Sequence, residues 1–592
     1  MNFFSLFIVL FLVGMSFGSC IPNQVEFYVP AVVKPEQSQI VKIKLSLLEG
    51  EGKIYTSIEP VVGLSTQQSI KKAVKYAFFI SSKNSNDCDV VIDFVGLENS
   101  SLVDGPSASL AIALATVAGL ENHSYPQNAI ITGEIFENGV VGPVGGILDK
   151  LQAAFKNNRS LFITPRLQFY EKLLISNFFG NLSNISIIEV DNFSEAYGAL
   201  FLNQTINKSD SIAKILLPPQ NLETKKTTEK EKLFLDLANK MNHQLEQISF
   251  SNTGNKNLEK YLNYFKNKTQ INKLLIAKGY YYTAANNAFL DLMDAKLLEQ
   301  LSSSPNIEQE FELLKNCLDS ASQDNTEIYE ENFELLAGAQ ARYMWAKNKL
   351  MQLKNITPSS LEEKYLILRE VYSAQSWCSS SLYLLEKAKY TSKQTKLNLN
   401  YLNNYIQSAI ENLDLIVQNS SSYSLSEARS HLLYAKNLIE EKKVAGAFFD
   451  TAYAAALIKF EADKLNLEEK DVIENINKLA SKNFSTLWAN LYQGQGKYLL
   501  QSSSNSTQQY LTIYSVLLLA DSEEQFLSKA SEFKIQTYNQ KESQPLNNIT
   551  VINKNNVLSE NDFFVSLILV FCLFLLVGEF LGKSDQQYKM NK

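Results

Sequence analysis

Apolar and polar residues follow different rhythms along this chain. Residues 3–19 are almost wholly apolar, and Phe563–Gly582 is a second apolar run broken only by Glu579. At roughly 20 residues the second run is long enough to cross a bilayer as a helix. Strand signals are confined to the stretch before about Asn203. Residues 204–230 are polar, with Pro218-Pro219 and a Lys/Glu/Thr run, and read as a linker. From 231 to 540 Pro and Gly are scarce and Ala, Leu, Tyr, Lys and Glu dominate, which favours helices. Ser424-Leu425-Ser426-Glu427 has capping-box spacing, and Leu425, Ala428, Leu432, Ala435 and Ile439 then form one apolar face. Val444, Phe448, Ala452, Ala455 and Ile458 form a second face after a short break. The spacing predicts two antiparallel helices. Ala/Tyr-rich blocks at Tyr280–Leu298, Ala337–Leu353 and Val371–Ala388 repeat the theme with no fixed period, so a helical bundle or hairpin array is expected and the repeat class stays open. The Tyr and Phe stripes read as core. Residues 541–562 are polar and Asn-rich and read as a stalk.

The two ends set the expected topology. Ser16-Phe17-Gly18 puts small residues where a signal peptidase cuts, so 1–19 reads as a signal peptide, or else as an N-terminal anchor, since its start lacks a positive charge. Lys583, Lys589 and Lys592 follow the second apolar run, while Glu560 and Asp562 precede it. Positive residues favour the cytoplasmic side. The expectation is a transmembrane helix at 563–582, a cytoplasmic tail at 583–592, and everything before the helix outside the cell. Sequons at Asn99, Asn181, Asn184, Asn192, Asn203, Asn207, Asn355, Asn419, Asn505 and Asn548 fit a glycosylated outer surface. Of five cysteines, Cys572 lies in the apolar run and Cys20 at the signal boundary; Cys317 and Cys378 can pair if the chain is exported. A net charge of -7 and a pI near 5.4 argue against nucleic acid as a main partner. No Cys/His spacing points to zinc, and no cofactor is expected.

One pair of segments carries chemistry. Asp104-Gly105-Pro106-Ser107-Ala108-Ser109 places a serine at a tight turn into an apolar stretch, and Lys150 follows in Gly145-Gly146-Ile147-Leu148-Asp149-Lys150. A serine hydroxyl needs a base. A lysine serves only when neutral, which burial among apolar groups promotes by disfavouring the ammonium. Val140, Val141, Val144, Ile147, Leu148 and Leu151 surround Lys150 in sequence. None of His123, His243 and His431 has a visible nucleophile or acid partner, so each reads as structural.

These motifs, in this order and at this spacing, resemble the proteolytic domain of the Lon family over about Val25–Leu202. The likeness takes in Ile40–Ile58 as an opening hairpin turning at Gly50-Glu51-Gly52-Lys53, Gln67–Phe79 as a first helix and Asp89–Phe94 as the strand feeding the nucleophile loop. It continues through Thr132-Gly133-Glu134, Gly142-Pro143-Val144-Gly145-Gly146 and Lys150-Leu151-Gln152-Ala153-Ala154, and closes with a strand at Ile185–Val190 and a helix at Ser194–Phe201. The chain departs from the family at Ser109, where glycine is usual. It also lacks the phosphate loop of an ATPase module: Gly578…Gly582-Lys583-Ser584 has one residue too few between its glycines. With its apolar ends the chain is similar to predicted archaeal membrane-anchored serine proteases that lack that module.

The expected fold is therefore an α+β Lon-like proteolytic domain at 23–203, followed by an all-α region and one transmembrane helix. The resemblance implies that Ser107 attacks the scissile carbonyl and Lys150 takes its proton. A helix beginning at Ser107 stabilises the oxyanion, and Thr132 orients Lys150. Asp104 is a possible latch that pairs with the lysine and keeps it charged; on that reading Asp104→Asn raises basal activity. Glu134 is either structural or catalytic. The expected function is an ATP-independent, membrane-anchored serine endopeptidase acting on flexible or unfolded polypeptides outside the cell, and the resemblance allows a homo-oligomer. The alternative is a catalytically inert scaffold whose helical region binds envelope proteins. A weaker reading is a protease that matures itself at the 203–230 linker.

Overall fold

The computed structural model describes residues 20–534 except 35–36, 59–60, 96–101, 104, 137, 180–183, 203, 205–221, 250–257, 302–305, 359, 419–424, 467–468 and 503–506. The apolar segments at 1–19 and 563–582, the stalk, the tail and most of the linker lie outside the described residues. Among the described residues no helix is long and apolar enough to cross a membrane.

The N-terminal part mixes strands and helices. A long hairpin of β1 (Asn23–Lys34) and β2 (Gln37–Glu49) comes first among the described residues, with Asn23 opposite Leu47. Val25, Phe27 and Val29 alternate inward on β1, as do Val41, Ile43, Leu45 and Leu47 on β2, the period-2 pattern of a sheet with one buried face. The expected pairing across Gly50–Lys53 does not occur. β3 (Ile54–Thr56) does not pair with β2; β5 (Cys88–Val95) lies between them, giving the order β1-β2-β5-β3. The reason is a contact distant in sequence. The Asp89 carboxylate at the start of β5 accepts the N–H groups of Glu51 and Lys53 at 2.9 and 2.8 Å, so the turn wraps around β5. Cys20 forms a disulfide with Cys88, tying the described N-terminus to that strand.

Two short parallel strands, β4 (Val61–Val62) and β6 (Leu102–Val103), flank α1 (Leu64–Ile80) in sequence. Helix α2 (Ser109–Glu121) is apolar all round and buried from Ser109 to Gly119, because it lies on β1 and β2 and also packs on α1. Strand β7 (Ala129–Ile131) and the hairpin of β8 (Glu134–Ile135) and β9 (Val141–Gly142) follow, then α3 (Ile147–Lys156). Strands β10 (Leu161–Pro165) and β11 (Ser186–Val190), with α4 (Phe169–Phe178) between them, complete a parallel sheet in the order β11-β10-β7. Helix α5 (Phe193–Phe201) ends the unit. Its N-cap is Asn192, whose side chain accepts from the N–H of Glu195 and donates to that residue's carboxylate, so this sequon's amide is engaged in the cap.

From Glu229 onward the described residues are almost all helical: α6 (Glu229–Ser249), α7 (Glu259–Ala277), α8 (Tyr281–Gln300), α9 (Ile307–Ser322), α10 (Glu330–Leu353), α11 (Leu361–Lys389), α12 (Leu399–Gln418), α13 (Ser426–Glu440), α14 (Val444–Asn466), α15 (Glu469–Ser481), α16 (Leu487–Ser502) and α17 (Thr507–Lys529). Helices α13 and α14 pack on each other, joined at Lys442 in the left-handed region (φ 59°). Ser424 lies outside the described residues, and the N-cap of α13 is Leu425, without a side-chain cap. The aromatic stripes are core: Tyr261, Tyr372, Phe448, Phe449, Trp488 and Tyr514 are all nearly inaccessible. Cys317 on α9 and Cys378 on α11 form a disulfide. His431 has the acid partner that sequence did not reveal. Asp450 bonds it at 2.7 Å and also accepts the Trp345 indole N–H, which fixes a buried junction of α10, α13 and α14.

The two regions share a core. Phe169 on α4 packs edge-on against Tyr261 and Phe265 of α7, and the Ser176 and Tyr261 hydroxyls lie 2.8 Å apart. Leu148, Tyr170, Leu173 and Leu174 belong to the same hydrophobic cluster as the helical core. The helical region is thus seated against the face formed by α3 and α4.

Candidate active site

Ser107 sits on a single 3-10 turn, Pro106–Ala108, entered through Gly105 and leading into α2. Gly105 has φ 123°, a conformation that side-chain-bearing residues rarely adopt. Pro106 at the first position pre-sets the turn. The helix proper therefore starts at Ser109, two residues after the position the sequence suggested. The turn is held from two sides. The Thr66 hydroxyl of α1 donates to the Gly105 carbonyl at 3.1 Å, and the Ser107 carbonyl accepts the Gly133 N–H at 2.8 Å. The N–H groups of Ser109 and Leu110 already bond the carbonyls of Pro106 and Gly133.

Lys150 lies one turn into α3, which begins at Ile147 and not at the lysine. The helix starts from Gly146, in the left-handed region at φ 69°. Lys150 is only 4 % exposed, with Ile147, Leu148 and Leu151 buried on the same helix; Val140, by contrast, is exposed. Burial lowers the lysine pKa from 10.5 to about 8, opposed by the negative charge of Glu362. Its Nζ donates to the Thr132 hydroxyl at 3.3 Å, and that hydroxyl donates in turn to the Ser107 carbonyl at 3.3 Å. Thr132 is fully buried and links the lysine to the nucleophile turn. Ser107 and Lys150 make no direct hydrogen bond to each other here.

Both residues line one cavity of about 730 Å³. Val29, Pro30 and Ala31 of β1 form one side, Pro143 to Gly146 another, and Arg166 to Gln168 a third. The remaining wall was not foreseen. Ser360, Glu362, Glu363 and Leu366, at the start of α11, reach the cavity from the helical region. Near them Glu171, buried on α4, is pushed up to about 7, chiefly by desolvation.

Residues 38–176 match the family model described as the Lon protease (S16) C-terminal proteolytic domain. This segment is a Lon-type proteolytic domain. Among curated relatives, the archaeal Lon protease of Thermoplasma volcanium is 30% identical over 124 residues, 21% of this chain and 18% of that protein. The archaeal Lon protease of Archaeoglobus fulgidus is 27% identical over 160 residues, 26% of this chain and 24% of that protein. Lon protease 2 of Bacillus subtilis is 25% identical over 189 residues, covering 29% and 32% respectively. The chain thus spans less than a third of the length of these relatives.

Within the Lon-type domain, Ser109 is no passive replacement for glycine. Its hydroxyl is completely buried, accepts the Ile135 N–H at 2.9 Å and faces the Gly133 carbonyl at 3.5 Å, so it fastens β8 to the start of α2. Glu134 is half-buried on β8, where it pairs with Gly142. Asp104 lies outside the described residues. Of the four site residues read from sequence, Ser107 and Lys150 line one cavity, and Thr132 is bonded to the Lys150 amine and to the Ser107 carbonyl.

Proposed function

We propose that the protein is a serine endopeptidase using Ser107 as nucleophile and Lys150 as general base. The observation that carries this reading is a nearly inaccessible lysine, with its pKa down to about 8, joined through Thr132 to the turn bearing Ser107 on the same cavity. Thr132 takes one N–H of Lys150 and leaves the lone pair of the neutral amine available. Reaction requires the Ser107 hydroxyl to come within hydrogen-bond reach of that amine; in unliganded enzymes such contacts are commonly long and tighten with substrate. Lys150 then takes the hydroxyl proton as Oγ bonds the scissile carbonyl carbon. The tetrahedral oxyanion is met by the positive end of α2. Because the N–H groups of Ser109 and Leu110 are already engaged, that stabilisation comes from the dipole and not from those two donors. Lys150 returns the proton to the leaving amine. Water, deprotonated by the same lysine, hydrolyses the ester and restores Ser107.

The reading extends to place and substrate. Two disulfides, Cys20–Cys88 and Cys317–Cys378, favour an oxidising compartment. Together with the apolar runs at 3–19 and 563–582 they support a membrane-anchored protein with its domains outside the cytoplasm. The 592 residues contain no phosphate-loop pattern, which supports cleavage without ATP of segments that are already flexible. The test is labelling of the purified protein by a fluorophosphonate probe, with cleavage of unstructured casein in ATP-free buffer. Labelling that disappears in Ser107→Ala and Lys150→Ala supports the enzyme. A folded wild type that neither labels nor cleaves casein overturns it in favour of a scaffold.

A further inference from the structure

An α-helix leaves its first N–H groups without intrahelical partners, and an N-cap side chain usually takes one of them. Helix α3 has Gly146 at that position and no such side chain. The partner comes instead from a residue 214 positions away. Glu362 Oε2 accepts the Leu148 N–H at 2.9 Å. Glu362 stands in the first turn of α11, whose own N-cap, Ser360, accepts from Glu363 N at 3.1 Å. Glu362, a buried residue, therefore places its carboxylate at two helix N-termini, each a positive end. Its charge reaches Lys150, one turn along α3.

We propose that Glu362 is a positioning residue of the proteolytic centre, through which the helical region holds the lysine-bearing helix in place and biases the charge on its lysine. The inference rests on the Ser107–Lys150 reading. Two effects act through one carboxylate. As a cap it fixes the first turn of α3, and with it the direction of Lys150. As an anion it favours the ammonium form, so it moderates the effect of burial and holds the base at a higher pKa than desolvation alone would give. The other charged or titratable groups around it are Asp149 on α3, Tyr170 and Glu171 on α4, Glu363 and Arg369 on α11, and Arg166 at the cavity rim. Arg369 is already paired with Asp294 at 2.7 Å, and Arg166 with Asp191, so neither neutralises Glu362 in its place.

The two effects separate in three substitutions made in the full-length protein, with kcat and KM for a fluorogenic casein peptide measured from pH 6 to 10. Glu362→Gln keeps an acceptor oxygen and removes the charge; the acid limb of kcat/KM is expected to move to lower pH. Glu362→Ala removes the cap as well. It is expected to lower kcat roughly 10- to 100-fold across the range, the scale on which a misplaced catalytic group is felt, with KM changed far less. Glu362→Asp is expected to recover part of that kcat, which a loss through general destabilisation would not show. An unmoved acid limb in Glu362→Gln, or wild-type kcat in Glu362→Ala, overturns the proposal; should Glu362→Ala not fold, the limb of Glu362→Gln decides. A wild type that neither labels at Ser107 nor cleaves peptide defeats the proteolytic reading itself. The link from Glu362 to Lys150 is then judged by stability: the pH at which the wild type begins to gain stability in alkali must fall in Glu362→Gln, and an unchanged onset overturns the link.

Discussion

Replacing Lys150 by methionine tests the buried amine without reference to any substrate. Lys150 is 4 % exposed and its pKa falls from 10.5 to about 8 because burial penalises the ammonium. At roughly 1.4 kcal/mol per pH unit, keeping the proton on this lysine in the fold costs about 3 kcal/mol. The sign follows from proton counts. Between about pH 8 and 10.5 the unfolded chain holds the proton and the native state does not, so native stability rises with pH across that window. Below pH 8 both states are protonated and the full penalty applies. Methionine has a similar length, carries no charge and suits an apolar wall. It gives up the hydrogen bond to Thr132, worth about 1 kcal/mol. Lys150→Met should therefore be inactive yet more stable than the wild type by roughly 2 kcal/mol at pH 7, and the gain should shrink steadily as pH rises past 8. Urea unfolding of both proteins at pH 6, 7, 8, 9 and 10 measures it. If the two stabilities run parallel across that range, the ammonium is solvated in the fold and the argument for a neutral base ends.

Other consequences can be checked in the same preparations. The wild-type kcat/KM should climb about tenfold per pH unit below a limb near pH 8 and level off above it, as expected for a base that must be neutral; a flat profile from pH 6 to 9 would contradict that. Thr132→Val removes the link between Lys150 and the Ser107 carbonyl and should lower kcat roughly 10- to 100-fold, with fluorophosphonate labelling slowed in parallel. Ser109→Gly restores the residue usual in the family but frees the Ile135 N–H, so it should destabilise the protein by about 1–2 kcal/mol, read as a lower urea midpoint. The double substitution Cys317→Ser/Cys378→Ser should cost roughly 2–5 kcal/mol through the loop closed over 61 residues, measured by thermal unfolding without reductant.

What could be read from the sequence was what short segments decide by themselves. Gly105-Pro106-Ser107 fixes a turn because glycine supplies an unusual φ and proline the next one, and α3 announces itself by its buried face of Ile147, Leu148 and Leu151. The α13–α14 pair was legible for the same reason: a 3.6-residue apolar period with a break at Lys442. Strand order was not, since nothing between Gly50 and Lys53 says that a strand beginning at Cys88 will insert beside β2; that depends on the Asp89 carboxylate meeting two N–H groups 36 and 38 positions away. The same holds for Cys20 with Cys88, for His431 with Asp450, and above all for Glu362. A glutamate in the first turn of a helix is ordinary, and no local signal distinguishes one that also caps a second helix.

That long-range contact changes how the chain divides. The order of motifs separates a catalytic segment from a helical one, and residues 38–176 do carry the proteolytic family match alone. Yet Leu148, Tyr170, Leu173 and Leu174 are buried in the helical core, and the cavity holding Ser107 and Lys150 is closed on one side by Ser360, Glu362, Glu363 and Leu366. Undocking α11 would uncover Lys150 to water, which restores the ammonium, and would leave the first turn of α3 without its cap. Both changes weaken the base, by different routes. A lysine kept neutral only by exclusion of water needs a wall that stays shut, and here part of that wall belongs to another region of the chain. The physical unit of the site is therefore larger than its sequence motif, and it includes the start of α11.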